Sequence, residues 1–145
     1  MKQYHELLGH VLTNGKFRQD RTGVGCYSVF GCQNRYDLND GFPIITTKKV
    51  LFDKAIYELL WFLTGSTNLN DLHESAHPFW KPWAKEDGSL GKIYGHCWRR
   101  FNEDGNSENG IDQIKSVIKS LKDAPFSRRH VVTAWNPSEL TQMAL

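Results

Sequence analysis

The apolar positions of this chain change period several times, and each change marks an element. Tyr4, Leu7, Leu8, Val11 and Leu12 fall on one helical stripe, which Gly15 ends. A polar, glycine-bearing turn follows at Asp20-Arg21-Thr22-Gly23-Val24-Gly25. Residues 26–30 and 33–38 read as two strand-like runs split by Gly31-Cys32; the second alternates Asn34, Tyr36 and Leu38 with Gln33, Arg35 and Asp37. Asn39-Asp40-Gly41 is a turn signal. Beyond it, the β-branched stretch Phe42-Pro43-Ile44-Ile45-Thr46-Thr47 predicts a short buried strand, with Lys48 and Lys49 exposed at its end.

Phe52, Ala55, Ile56, Leu59, Leu60 and Leu63 predict the central helix, and Gly65 is placed to stop it. Its last turns, Leu59-Leu60-Trp61-Phe62-Leu63, are apolar on every side, which predicts a core helix. Thr67 or Asn68 caps a short helix carrying Leu69 and Leu72, which Pro78 is expected to close. Phe79, Trp80 and Trp83 crowd a stretch broken by Pro82, and residues 93–101 are dense in aromatic and basic side chains. Residues 102–110 predict a surface loop. Ile111, Ile114, Ile118 and Leu121 then mark a helix that Pro125 shuts off.

Residues 130–135 are rich in β-formers, and Asn136-Pro137-Ser138-Glu139 has the form of a helix start, with Leu140, Met143 and Ala144 opening its apolar face. No stop signal follows, so Leu145 is expected to interrupt that helix. The order of elements predicts α and β mixed in a single domain over residues 1–145, without repeat or linker.

Composition narrows the function classes. With 39% hydrophobic and 23% charged residues and a net charge of +2, the chain reads as a soluble folded domain. A disordered chain and a polybasic nucleic-acid tail are excluded. No apolar run is long enough for a bilayer and the N-terminus lacks a signal-peptide core, so a cytoplasmic location is expected. The cysteines, Cys26, Cys32 and Cys97, lack zinc-type spacing and are expected to stay reduced. His73 and His77 are four apart but Pro78 intervenes, so no metal site is expected.

Candidate chemistry gathers at a few places. Glu58 sits at the lip of the apolar helix end. There a carboxylate either finds hydrogen-bond donors or acquires a raised pKa; turned outward, it lies one turn from Lys54. Arg21, Arg99-Arg100 and Arg128-Arg129 lie at turns or element ends, where guanidinium forks suit a phosphate monoester; ordinary surface charge is the alternative for each. Trp80, Trp83, Trp98 and Trp135 offer faces for a heteroaromatic ring, or core packing. Tyr94 is either structural or catalytic. Cys97, near His96 and Arg99, is expected in or beside a strand, and no cysteine has the basic helix-start setting of a nucleophile. These residues alone describe an α/β domain for a phosphorylated aromatic ligand.

The chain resembles thymidylate synthase along essentially its whole length. The resemblance is carried by Asp20-Arg21-Thr22-Gly23, Asp40-Gly41-Phe42-Pro43, Thr46-Thr47-Lys48, Glu58-Leu59-Leu60-Trp61-Phe62-Leu63, Gly65-Ser66-Thr67-Asn68, Tyr94-Gly95, Trp98-Arg99, Asp112-Gln113, Ser127-Arg128-Arg129 and Ala134-Trp135-Asn136. It implies an α/β (α+β) fold with a mixed β-sheet flanked by helices, incomplete over this stretch, and a homodimer. It also implies reductive methylation of deoxyuridine monophosphate (dUMP) to dTMP, with 5,10-methylenetetrahydrofolate as donor of carbon and hydride and no metal. Arg21 would bind the nucleotide phosphate, and Arg128 and Arg129 would reach the partner's phosphate across the dimer. Glu58 would order water and manage protons, Tyr94 would sit near the nucleotide C5, Trp80 and Trp83 would line the folate pocket, and Lys48 would lie near its entrance.

The family's nucleophilic cysteine, in a Pro-Cys-His motif, would fall shortly beyond Leu145, so the chain by itself is expected to be inactive. Leu51 stands where many members have histidine. Cys97 stands where glutamine is usual and is expected to be a packing replacement that serine substitutes at little cost. A deoxypyrimidine monophosphate hydroxymethylase of the same fold is an alternative, as is a non-catalytic fragment used for nucleotide binding or dimerisation. Half a sheet is expected to leave an open edge and to aggregate.

Overall fold

A computed structural model describes residues 1–102 and 110–140. Most of the expected 102–110 loop, together with Met143, Ala144 and Leu145 of the expected last helix, lies outside the described residues. The chain divides into two compact units, Met1–Val50 and Leu51–Leu145. No helix among the described residues is long and apolar enough to cross a membrane.

In the first unit, helix α1 (Lys2–Asn14) bears the expected stripe, and Gly15 ends it with its N–H on the Val11 carbonyl at 2.8 Å. Strands β1 (Lys16–Arg18) and β2 (Cys26–Ser28) pair antiparallel, Phe17 opposite Tyr27 with their rings edge-on at 5.7 Å. The loop between them is the glycine turn. Its Gly25, at φ 77°, lies so close to Phe17 that a Cβ would meet the ring at 2.3 Å. β1 escapes notice in the sequence because Lys16-Phe17-Arg18 has one apolar residue and no alternation to read.

The strand-like runs 33–38 and 42–47 are not strands. The first is irregular and leads into a 3-10 turn, Leu38–Asp40, and the second is irregular too, tightened by the Ile44 N–H on the Phe42 carbonyl at 2.8 Å, with Phe42 70% exposed. β-branched composition specifies an extended backbone, but a strand also needs a partner ladder, and none is present for either run among the described residues. No residue of the first unit is buried.

The second unit holds the core: Trp61, Phe62, Leu69, Leu72, Ala76, Trp80, Leu90 and Ile93, with Ala84, Tyr94 and Trp98 packed against it. Helix α2 (Phe52–Thr64) ends at Gly65 in the left-handed conformation, φ 78°, as its sequence signals. Only one side of its apolar end is covered: Trp61 and Phe62 are buried, whereas Leu59 and Leu60 are exposed. Asn68 caps the 3-10 turn Leu69–Asp71, its side-chain oxygen accepting the Asn70 N–H at 2.9 Å. Pro78 does not close a helix. It sits in the first turn of the short α3 (His77–Trp80), where the missing N–H costs nothing, and Lys81–Trp83 continues as a 3-10 turn.

Residues expected near a strand around Cys97 instead form helix α4 (Tyr94–Arg100). The end of α2 meets the start of α4 backbone to backbone: a Cβ on Gly95 would lie 2.8 Å from the Phe62 carbonyl oxygen. Helix α5 (Gln113–Asp123) is capped by Asp112, which accepts the Lys115 N–H at 2.9 Å. Residues 130–135 form no strand, and Asn136 caps a turn, accepting from the Ser138 N–H at 3.2 Å. Of the expected mixed sheet, the described residues hold one antiparallel pair of strands.

Candidate active site around Glu58, Trp80 and Tyr94

Three candidates meet in the second unit. Glu58 lies on α2 one turn before the buried Trp61-Phe62 pair and is half-buried. It does not turn outward to Lys54, whose ammonium sits 5.7 Å from the centre of the Phe79 ring. Instead its Oε1 accepts the indole N–H of Trp80 at 2.5 Å. The indole itself is buried, edge-on to Trp61 at 5.5 Å and to Phe62 at 5.7 Å. Of the two alternatives, core packing is what the structure shows for Trp80, and its polar tip serves the carboxylate.

Tyr94 opens α4 beside this pair. Its ring is edge-on to Phe62 (5.5 Å), Trp80 (6.3 Å) and Trp135 (5.6 Å). Burial raises the phenol's pKa, and the negative charge of Glu58 adds to the rise. Tyr94 is thus held protonated beside a hydrogen-bonded carboxylate, within an aromatic wall. Trp83, on the turn after Trp80, is 48% exposed and presents an indole face to solvent.

The guanidinium candidates divide. Arg128 and Arg129 are exposed just after α5, where Ser127 Oγ accepts the Arg129 N–H at 3.2 Å. Arg99 and Arg100 have structural partners. Arg99 pairs with Asp112 at 3.0 Å, and Arg100 donates to the Gly65 carbonyl at 2.9 Å, satisfying a backbone oxygen at the end of α2. Arg21 and Lys48 are exposed residues of the first unit. The turn around Arg21 is held by its neighbour: Asp20 accepts from the Thr22 N–H (2.9 Å) and hydroxyl (2.6 Å), and the hydroxyl bond leads in lowering its pKa.

Cys97 is 1% exposed within α4, and burial raises its thiol pKa, helped by Glu139 and opposed by Lys92. That setting suits packing and disfavours a thiolate. The rings of His73 and His77 are engaged locally, on Ser75 at 2.9 Å and on the Leu72 carbonyl at 2.8 Å. Among the described residues no group of three possible ligands could hold a metal.

One residue of this neighbourhood enters the sequence reading only as half of the Asp112-Gln113 stretch, with no role attached to it. Gln113 hydrogen-bonds α4 and the 133–135 segment together, and its amide is legible only once those segments are seen side by side. A family model described as thymidylate synthase matches residues 2–145, and the helices with their small sheet fit an α/β fold of that kind.

Proposed function

The chain belongs to the thymidylate synthase family, a family of methyltransferases, and from that premise we propose that it carries part of a site for the reductive methylation of dUMP to dTMP. The carbon and the hydride of that reaction come from 5,10-methylenetetrahydrofolate. The observation that carries the reading is the Glu58–Trp80 hydrogen bond at 2.5 Å with Tyr94 packed beside it.

The residues have the chemistry the ligands need. Trp80 fixes Glu58 through Oε1, which aims Oε2 at a bound water or the pyrimidine edge, where a carboxylate can take up and return a proton. Tyr94, kept protonated, places a hydroxyl close to the nucleotide ring. The exposed indole of Trp83 supplies a flat face for a pterin, with Trp80 as a second indole of the folate site, and Lys48 takes its folate role from the family resemblance alone. Arg21 binds the nucleotide phosphate. Arg128 and Arg129, exposed and adjacent, reach the phosphate of a second copy in a homodimer.

The 145-residue chain alone does not turn over dUMP in this reading, because attack on the ring needs an activated thiolate: Cys97 is buried with its pKa raised, and the exposed Cys26 and Cys32 lack the basic helix-start setting of a nucleophile. Two measurements on the purified chain in dilute solution test these statements. Tryptophan quenching on titration with dUMP is expected to saturate, and an unresponsive signal would sink the nucleotide site. Absorbance of dihydrofolate is expected to stay flat with dUMP and methylenetetrahydrofolate present; its growth would refute the inactivity.

A further inference from the structure

We propose that Gln113 is a positioning residue for Tyr94, tying the helix that carries that ring to the segment whose Trp135 packs against it. Its Nε2 donates to the Cys97 carbonyl at 2.7 Å and to the Thr133 carbonyl at 2.9 Å, and its Oε1 accepts the Thr133 N–H at 2.9 Å. Cys97 lies one turn after Tyr94 on α4, and Trp135, two residues past Thr133, is edge-on to the Tyr94 ring at 5.6 Å.

Each bond answers a need of the backbone. The Cys97 carbonyl is among the last four of α4, which have no acceptor role inside the helix. Thr133 lies in the 130–135 run, which has no strand pairing among the described residues, so the amide supplies partners to both its backbone groups. Only a primary amide offers two N–H donors and an acceptor on one side chain. Glutamine, anchored as the first residue of α5, has the reach. The adjacent Asp112 grips Arg99 at 3.0 Å and caps α5, so its loss loosens α4 without touching any of the three Gln113 bonds.

The inference deepens the proposed reading of Tyr94 and rests on it for its chemical meaning, but its test reads geometry rather than ligand binding or turnover, so the two can fail separately. In the unaltered chain, nuclear magnetic resonance should find the Gln113 side-chain amide protons exchanging roughly tenfold or more slowly than those of a free amide, the factor that about 1.4 kcal/mol gives. Gln113→Glu keeps the length and removes both donors. It should move the Tyr94 ring resonances toward those of an unfolded chain and bring its ultraviolet phenol titration back toward that of an exposed tyrosine. Asp112→Asn should leave both in place. A folded Gln113→Glu variant with an unmoved Tyr94 would overturn the proposal. If that variant does not fold, free-amide exchange at Gln113 in the unaltered chain would overturn it instead.

Discussion

Glu58 shows how a half-buried carboxylate is accommodated by one neutral donor. The Trp80 N–H is buried with its ring, so removing its acceptor strands a polar group where water is excluded. Glu58→Ala should therefore cost about 1–3 kcal/mol in urea unfolding, whereas Glu58→Gln, which keeps an acceptor oxygen, should cost under about 1 kcal/mol. Equal losses would mean that the indole bond does not matter to folding. The protonated side chains behave differently. Tyr94 and Cys97 both hold their protons to higher pH in the folded chain than in the unfolded one. The unfolded chain releases them first, so their contribution to stability is whole below about pH 8.5, the ordinary thiol value, and is lost as pH rises through the raised values. Cys97→Ala should remove the earlier part of that alkaline loss and leave the later, tyrosine part. A melting profile of the variant that keeps the full slope would contradict this.

Between elements, the decisive contact is that of α2 with α4. Glycine inside a helix ordinarily costs about 0.5–1 kcal/mol relative to alanine, so propensity alone favours Gly95→Ala. The packing says the reverse. A Cβ there would lie 2.8 Å from the Phe62 carbonyl oxygen and 3.0 Å from its Cα, both backbone atoms without a rotamer to yield. Gly95→Ala should destabilise by about 1–3 kcal/mol, and a stabilised variant would show that the two helices can slide apart.

What could be read from the sequence follows the same division between local and distant causes. The glycine stop of α2, the Asn68 cap and the apolar stripe of α5 are written within a few residues, and they appear where expected. Strands at 42–47 and 130–135 were expected from β-branched composition, yet pairing depends on chain elsewhere. Cys97 was misplaced for a related reason: seven residues of mixed aromatic and basic character carry too weak a period to distinguish α4 from a strand. The candidate site divides likewise. Glu58 and Tyr94 stand out by chemical type, whereas Gln113 acts only through its partners.

At the scale of the whole chain, the two units differ in what can hold them. Every buried residue among those described belongs to Leu51–Leu145, while α1 and the β1–β2 hairpin leave even Leu12 and Phe17 more than half exposed. A short hairpin and one surface helix bury too little apolar area to offset the entropy of ordering them. Hydrogen exchange should therefore be fast throughout α1 and slow in α2 and α4, and comparable protection in α1 would refute this. The exposed apolar side chains, among them Phe30, Phe126 and Val131, should also make the isolated chain bind hydrophobic dyes and associate with itself.

The aromatic wall has an optical consequence as well. Trp61, Trp80, Tyr94 and Trp135 form a chain of rings whose neighbouring centroids are 5.5–6.3 Å apart, close enough for electronic excitation to pass from ring to ring. Light absorbed by Tyr94 drains into these indoles, so the emission that Tyr94 feeds reports on the surroundings of Glu58. The protein therefore contains its own lamp, set beside the carboxylate.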